Sequence, residues 1–255
     1  MKLRGAISLL AVTVGMVLCD VLQRLFIGPL VQVIPSGRKR VLGVWAQGMA
    51  WLTSRPLVIL GGANIVRPPQ VPFEPGVLIV MNHQSLLDIP TVVSSVQRGY
   101  PLIVTRKRYG RWIPLISHMI RLYQYPVVDP AANRGDTQLM LDSLSEVARN
   151  AEVPVAIFPE GTRTKNGEIG RFKKRGLSLI LGARSWKVYV FVGDGFWKYA
   201  KFKDFLDGIH EIDGQVALVD VLDWSDPSAD PGPFIAEIRE RMICHLAEMR
   251  GGVAQ

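Results

Sequence analysis

Five apolar residues without a polar interruption, Val77-Leu78-Ile79-Val80-Met81, narrow the folds open to this chain. A strand with one wet face alternates, so an unbroken short run preceded by Pro75-Gly76 reads as a strand buried on both faces, the pattern of a helix-covered parallel sheet. Asn82 and His83 fall at its carboxyl end, where ligands of α/β proteins usually bind. Asp88 follows five residues after His83. On one continuous helix that spacing would turn the pair roughly 140° apart, at 100° per residue. A helix beginning near Ser85, with Ser85 as N-cap and Asp88 at N3, lets the loop fold the imidazole back onto the carboxylate instead. Asp88 on Nδ1 would fix the tautomer and leave Nε2 to accept a proton. The plainer alternative is an Asp decorating a helix N-terminus beside a polar loop His.

From Pro56 onward, short apolar runs alternate with helical segments. Strands are expected at Leu57–Leu60, Val77–Met81, Leu102–Thr105, Tyr125–Val128, Val153–Phe158, Val188–Val192 and Gln215–Val221. Helices are expected at Leu86–Gln97, Arg108–Leu122, Asp136–Asn150, Lys174–Arg184 and Pro233–Arg250, with a loop over Asp223–Pro233. The alternation predicts an α/β fold with a mixed, largely parallel central sheet flanked by helices. At 255 residues the chain holds one sizeable core, and no linker or low-complexity segment divides it. The expected organisation is residues 1–55 as a helical hairpin and 56–255 as the α/β domain.

The N-terminal part is apolar and basic. Lys2 and Arg4 precede Ala6–Leu18, and after Asp20 and Arg24 the apolar character resumes over Leu25–Ile34. The first run has the length of a signal-peptide core, but it ends in no clean small-x-small cleavage pattern, so a retained anchor is expected. Pro35-Ser36-Gly37 marks a turn, Arg38-Lys39-Arg40 a basic cluster, and Val41–Thr53 a second helix carrying Trp45 and Trp51. Cations lie before, between and after the runs, which gives no sided bias for a full crossing; a monotopic hairpin dipping into one leaflet is favoured over a single transmembrane helix. A net charge of +8 with 48% hydrophobic residues also points to an anionic membrane surface. No helix-turn-helix, zinc-finger or RNA-recognition signature accompanies the charge, so nucleic acid is not an expected partner. Cys19 and Cys244 lack metal-ligand spacing and the four histidines are scattered, so neither a metal site nor a disulfide framework is expected.

A second motif follows the run Val153–Phe158: Phe158-Pro159-Glu160-Gly161-Thr162-Arg163-Thr164, then Lys165, Arg171, Lys173, Lys174 and Arg175. Gly161 allows close backbone approach, Thr162 donates a hydrogen bond, and Arg163 offers a planar fork matched to phosphate oxygens. The heptad reads as a phosphate cradle; Arg171 to Arg175 alone would read as a solvated charged loop. Phe196, Trp197, Tyr199, Phe202 and Phe205 interleave with Lys198, Lys201 and Lys203 as a lipid-facing patch, an acyl-chain wall or ordinary core.

Taken in order, Asn82-His83-x4-Asp88 and Phe158-Pro159-Glu160-Gly161-Thr162-Arg163 resemble the glycerolipid acyltransferase family, including its bacterial 1-acyl-sn-glycerol-3-phosphate acyltransferases. The resemblance covers roughly Leu57 to Val192, and the two-helix start is similar to the family's membrane hairpin. It implies that His83 is the general base for an acceptor hydroxyl, oriented by Asp88. It also implies that Asn82, Glu160, Gly161, Thr162, Arg163 and Lys173 serve acceptor binding. The implied donor is acyl-CoA or acyl carrier protein as co-substrate, with no further cofactor and no metal. The implied acceptor is a lysophospholipid, commonly 1-acyl-sn-glycerol 3-phosphate, with another lyso-lipid or glycerol 3-phosphate as the alternative, and the implied location is the cytoplasmic face of the inner membrane. Two stretches depart from the family pattern. Pro130 stands where a basic residue is usual, with Arg134 or Arg106 as replacements, and Val188–Gly193 lacks proline. A hydrolase reading lacks a Gly-x-Ser-x-Gly elbow, and a catalytically silent lipid-binding scaffold would gain little from an oriented base.

Overall fold

Val77, Ile79 and Met81 enter one apolar core and Leu78 and Val80 enter another, on opposite faces of the same strand. That division explains why the run does not alternate: both faces are dry, and each buried aliphatic side chain stabilises the fold by about 1.5–3 kcal/mol. The computed structural model describes residues 2–129, 134–199, 205 and 207–251.

In chain order the elements are α1 (Lys2–Leu22), a π-helical turn (Gln23–Ile27), α2 (Gly28–Val33), α3 (Arg38–Ile59), β1 (Asn64–Ile65), β2 (Val77–Met81), α4 (Asp88–Ser95), β3 (Leu102–Ile103), β4 (Thr105–Arg106), α5 (Ile116–Leu122), β5 (Val127–Val128), α6 (Arg134–Asn150), β6 (Val155–Ile157), α7 (Lys174–Leu181), β7 (Trp186–Asp194), β8 (Asp213–Trp224) and α8 (Pro231–Met249). The main sheet runs β1-β8-β7-β2-β6-β3, and β4 and β5 form a separate parallel pair. Among the described residues only β7 and β8 pair antiparallel, with a register shift between Val190 and Phe191. β2 lies in the middle, parallel to both β6 and β7, so the carboxyl ends of three strands meet at one edge. α6, α7 and α8 cover one face through Leu144, Leu177, Ile180 and Ile238. α3, α4 and the N-terminal helices cover the other.

The hairpin differs in detail from its sequence reading. The apolar runs Ala6–Leu18 and Leu25–Ile34 join into one rod, α1 continuing through the π-helical turn into α2. α1 packs on α3 through small side chains: Ser8 and Cys19 are buried, and a Cβ on Gly15 would meet Leu52 Cδ2 at 3.0 Å. Small residues permit that approach. The opposite stripe, Leu3, Ile7, Leu10, Val14, Val17, Val21 and Leu25, is exposed. Residues Leu3–Val33 form a helix long and apolar enough to cross a membrane.

Three expected elements are corrected. Leu57–Leu60 is the end of α3 and not a strand; Pro56 lies inside the helix, and Thr53 and Ser54 turn their hydroxyls onto the Met49 and Ala50 carbonyls of the preceding turn. The 55/56 division therefore falls within α3. Arg108–Leu122 is not one helix: a 3-10 turn at Lys107–Gly110 and extended backbone precede a shorter α5, because Gly110 and Pro114 break the pattern. Leu102–Thr105 divides between β3 and β4, which belong to different sheets. Toward the C-terminus β8 reaches Trp224, two residues into the expected loop, and Asp230 caps α8 by accepting the Gly232 amide at 2.9 Å.

Candidate functional site

The site grows from the carboxyl end of β2. Asn82 is buried and trades two hydrogen bonds with one residue of β7: its Nδ2 donates to the Gly193 carbonyl at 2.9 Å, and the Gly193 amide donates to its Oδ1 at 2.7 Å. The side-chain amide thus continues the β2–β7 ladder one residue beyond Met81 and fixes where the chain leaves the sheet. A side chain on Gly193 would collide with Met81, at 2.8 Å from Cε.

The next turn folds around Asp88. Its Oδ2 accepts the Gln84 amide at 2.6 Å, the Ser85 amide at 2.8 Å and His83 Nδ1 at 2.7 Å. The helix therefore begins at Asp88, and the expected N-cap at Ser85 is corrected: three donors converging on one carboxylate oxygen win, while Ser85 Oγ accepts the Leu87 amide at 2.9 Å. A carboxylate only accepts, so Nδ1 carries the imidazole proton and Nε2 is left as the acceptor. Asp88 is 0% exposed and His83 18%, which places the charge in a dry setting and the imidazole at the surface. Phe158 stacks on the imidazole, ring centroids 4.5 Å apart.

The second motif closes on the first. Glu160 Oε1 accepts the His83 amide at 3.1 Å, Oε2 accepts the Gly170 amide at 3.2 Å, and the Thr164 amide donates to the His83 carbonyl at 2.8 Å. Burial, the largest influence, raises the Glu160 pKa; the two amides oppose it. Gly161 adopts a left-handed φ of 62°, and a Cβ there would lie 3.0 Å from the Lys173 side chain, so Lys173 lies across the glycine turn. Thr162 and Lys173 are exposed, and both line a cleft of about 1110 Å³ that extends past Arg171 and Lys174 to Arg239 on α8. Arg163 is half-buried. Arg106, from β4, donates to the Gly161 carbonyl. Pro130 and the side chain of Arg134 lie outside the described residues.

His83 lines neither this cleft nor a smaller polar one of about 270 Å³ beside Asp194. His83 is partly exposed, with exposed Leu86 three residues along.

Sequence reasoning missed a further network. Gln84 Nε2 donates to Asp194 Oδ1 at 3.1 Å and its Oε1 accepts the Phe196 amide at 3.1 Å. Arg250 forks onto Asp194 at 2.7 and 2.8 Å and reaches Glu168 at 2.8 Å. Burial raises Asp194, but Arg250, Gln84 and the Gly195 amide outweigh it and hold the carboxyl below its usual value. Nothing local in the sequence marks Arg250, 166 positions after Gln84, as part of this site. Of the expected aromatic patch, Phe196 is core and Phe205 packs against it; Phe202, Lys201, Lys203 and the side chain of Tyr199 lie outside the described residues.

A His held by a buried Asp at the end of a parallel strand therefore lies beside a cation-rich glycine turn. The acyltransferase family model matches residues 58–192, just over half of the chain, and the chain belongs to that family. It is similar to 1-acyl-sn-glycerol-3-phosphate acyltransferases of Cocos nucifera, 27% identical over 139 residues (53% of this chain, 41% of the relative), and Helicobacter pylori strain J99, 33% identical over 103 residues (40% and 42%). The chain thus spans about two fifths of the length of these curated relatives. The crystal structure of PlsC, the 1-acyl-sn-glycerophosphate (LPA) acyltransferase of Thermotoga maritima, shares its fold: the TM-score is 0.68 at 19% identity, over 99% of this chain and 100% of that one.

Proposed function

We propose that the chain is a membrane-associated O-acyltransferase that moves a fatty acyl group from acyl-CoA or acyl carrier protein to the free hydroxyl of 1-acyl-sn-glycerol 3-phosphate, giving phosphatidic acid. The observation that carries this reading is the 2.7 Å bond from His83 Nδ1 to the buried Asp88 carboxylate, which leaves Nε2 of a partly exposed imidazole to act as the base. His83 Nε2 takes the hydroxyl proton as the oxygen attacks the thioester carbonyl. Asp88 stabilises the imidazolium that forms. The tetrahedral intermediate collapses with loss of the thiolate, which takes the proton back from His83. The acceptor oxygen attacks the donor directly, so no acyl-enzyme forms. Thr162, Arg163, Lys173 and Arg106 bind the acceptor phosphate, and Asn82 and Glu160 serve by holding the two loops. The exposed stripe of α1 rests in one leaflet, on the cytoplasmic side of the inner membrane where the thioester donors are found. What supports the acceptor assignment is the family, the names of the relatives and the glycine turn beneath Lys173. Incubation with labelled acyl-CoA or acyl carrier protein and a panel of lyso-acceptors tests it: transfer to 1-acyl-sn-glycerol 3-phosphate is expected, and preference for an acceptor without phosphate contradicts it.

A further inference from the structure

Charge is divided unevenly along this chain. Residues 1–128 hold fourteen of its thirty Lys and Arg but only three of its twenty-two acids, a net charge of +11 against −3 for the remainder. Within that half, Ile89 to Val128 contains no acid and six cations, and three of those, Lys107, Arg108 and Arg111, crowd the loop Lys107–Ile113. The same loop carries Trp112, 95% exposed and held at a left-handed φ of 65°. A fully wetted indole is unusual on a surface that faces only water. Arg108 and Arg111 are exposed beside it, and Arg108 lies over the Tyr109 ring, 4.8 Å from its centroid.

The loop's two ends are tied to two other parts of the molecule. Before it, Arg106 holds the Gly161 carbonyl of the glycine turn. After it, the Leu115 amide donates to Asp20 Oδ1 of α1 at 2.8 Å, and His118 Nδ1 meets the buried Gln23 side chain at 2.9 Å. Gln23 in turn accepts from Trp45 Nε1 of α3 at 2.9 Å. Trp112 is therefore three residues, at most about 11 Å of chain, from a contact with the helix whose neighbouring Val17, Leu18, Val21 and Leu25 are exposed. Asp20, the single acid of α1, is spent on Arg24 and on that Leu115 amide.

We propose that Lys107–Ile113 is a second point of membrane attachment, on the catalytic domain itself: Trp112 enters the interface of an anionic bilayer while Arg108 and Arg111 pair with lipid phosphates. An indole at the headgroup level beside cations fits such a surface, and its place three residues from the Leu115 contact with α1, a helix that carries an exposed apolar stripe, favours a bilayer over an acidic protein. Two attachment points, unlike one helix, fix the tilt of the domain. Because the loop begins where Arg106 grips Gly161, that tilt also sets the height of the phosphate-binding turn above the lipid.

The inference rests on the membrane attachment proposed above, and the test separates the two. Full-length protein is bound to phosphatidylglycerol vesicles containing phospholipids brominated in the upper acyl chain, and quenching is compared among wild type, Trp112→Phe and Trp51→Phe, Trp51 being an exposed residue of α3. Trp112→Phe is expected to lose a quenchable component, and Arg108→Glu/Arg111→Glu to lose it while the Trp51 component persists. Transfer to a short-chain, monomeric acceptor should be unchanged in Trp112→Phe, which shows that the fold is intact. Quenching equal to wild type in Trp112→Phe but reduced in Trp51→Phe overturns the loop and leaves the helical anchor standing. Absence of quenching in every form overturns both, and protection of Trp112 by acyl carrier protein with no lipid quenching overturns the loop in favour of a protein dock.

Discussion

Glu160 accepts the backbone amide of His83 at 3.1 Å across 77 residues of sequence, so the glycine-turn loop holds His83 by its main chain. The second Glu160 oxygen is occupied by Gly170, and its charge is directed inward. Glu160→Ala should therefore act on turnover: kcat falls about 100-fold, as expected when a reacting group is misplaced by an ångström, and KM for the acceptor stays within a few fold. Steady-state kinetics check this. A rise in KM with kcat preserved would show direct phosphate contact instead.

Asp88→Asn keeps an oxygen for part of the turn but allows an amide donor to face Nδ1, which frees the wrong tautomer. Loss of kcat by about 100- to 10,000-fold is expected with little change in KM. The measurement is kcat against pH with saturating acceptor, and a variant retaining wild-type kcat contradicts the orienting role.

Substitution of the loop cations should divide from the base in the opposite sense. Arg163→Ala and Lys173→Ala are each expected to raise KM for a phosphorylated acceptor about tenfold, the loss of one charge-assisted contact. Turnover at saturation should be kept. An acceptor lacking phosphate serves as control, and equal effects on both acceptors argue against phosphate binding.

His118 gives the α1–α5 contact a pH dependence. Burial, and then Arg24 and Arg121, hold its pKa below the usual histidine value, with Asp20 opposing. A histidine depressed in the folded state adds stability that is present above its unfolded pKa, about 6.5, and is lost as pH falls toward the lower folded value. Protonation also sets a donor against Gln23 Nε2. Wild type should lose more thermal stability than His118→Gln between pH about 7.5 and 5.5. Equal losses contradict the assignment.

Much of this was legible where one physical signal dominated. The β2 run announced its burial because both faces are dry, and Asn82-His83-x4-Asp88 announced a strand-to-helix turn because the spacing fails on a helix. Pro56 misled, since a proline that ends most helices is tolerated in α3. Ser85 misled because cap preference is local, whereas the Asp88 oxygen gathers three donors. The Gln84–Asp194–Arg250 network was invisible, being built by β7 and the end of α8 arriving from far along the chain.

The most direct test of the account is the initial rate of labelled acyl transfer to 1-acyl-sn-glycerol 3-phosphate in vesicles, from acyl-CoA and from acyl carrier protein, for wild type and His83→Ala. Wild type should form phosphatidic acid from at least one donor, and His83→Ala should lose at least about 100-fold of that rate while still binding vesicles. Transfer by His83→Ala at the wild-type rate, or no transfer by wild type to any lyso-acceptor, would contradict it.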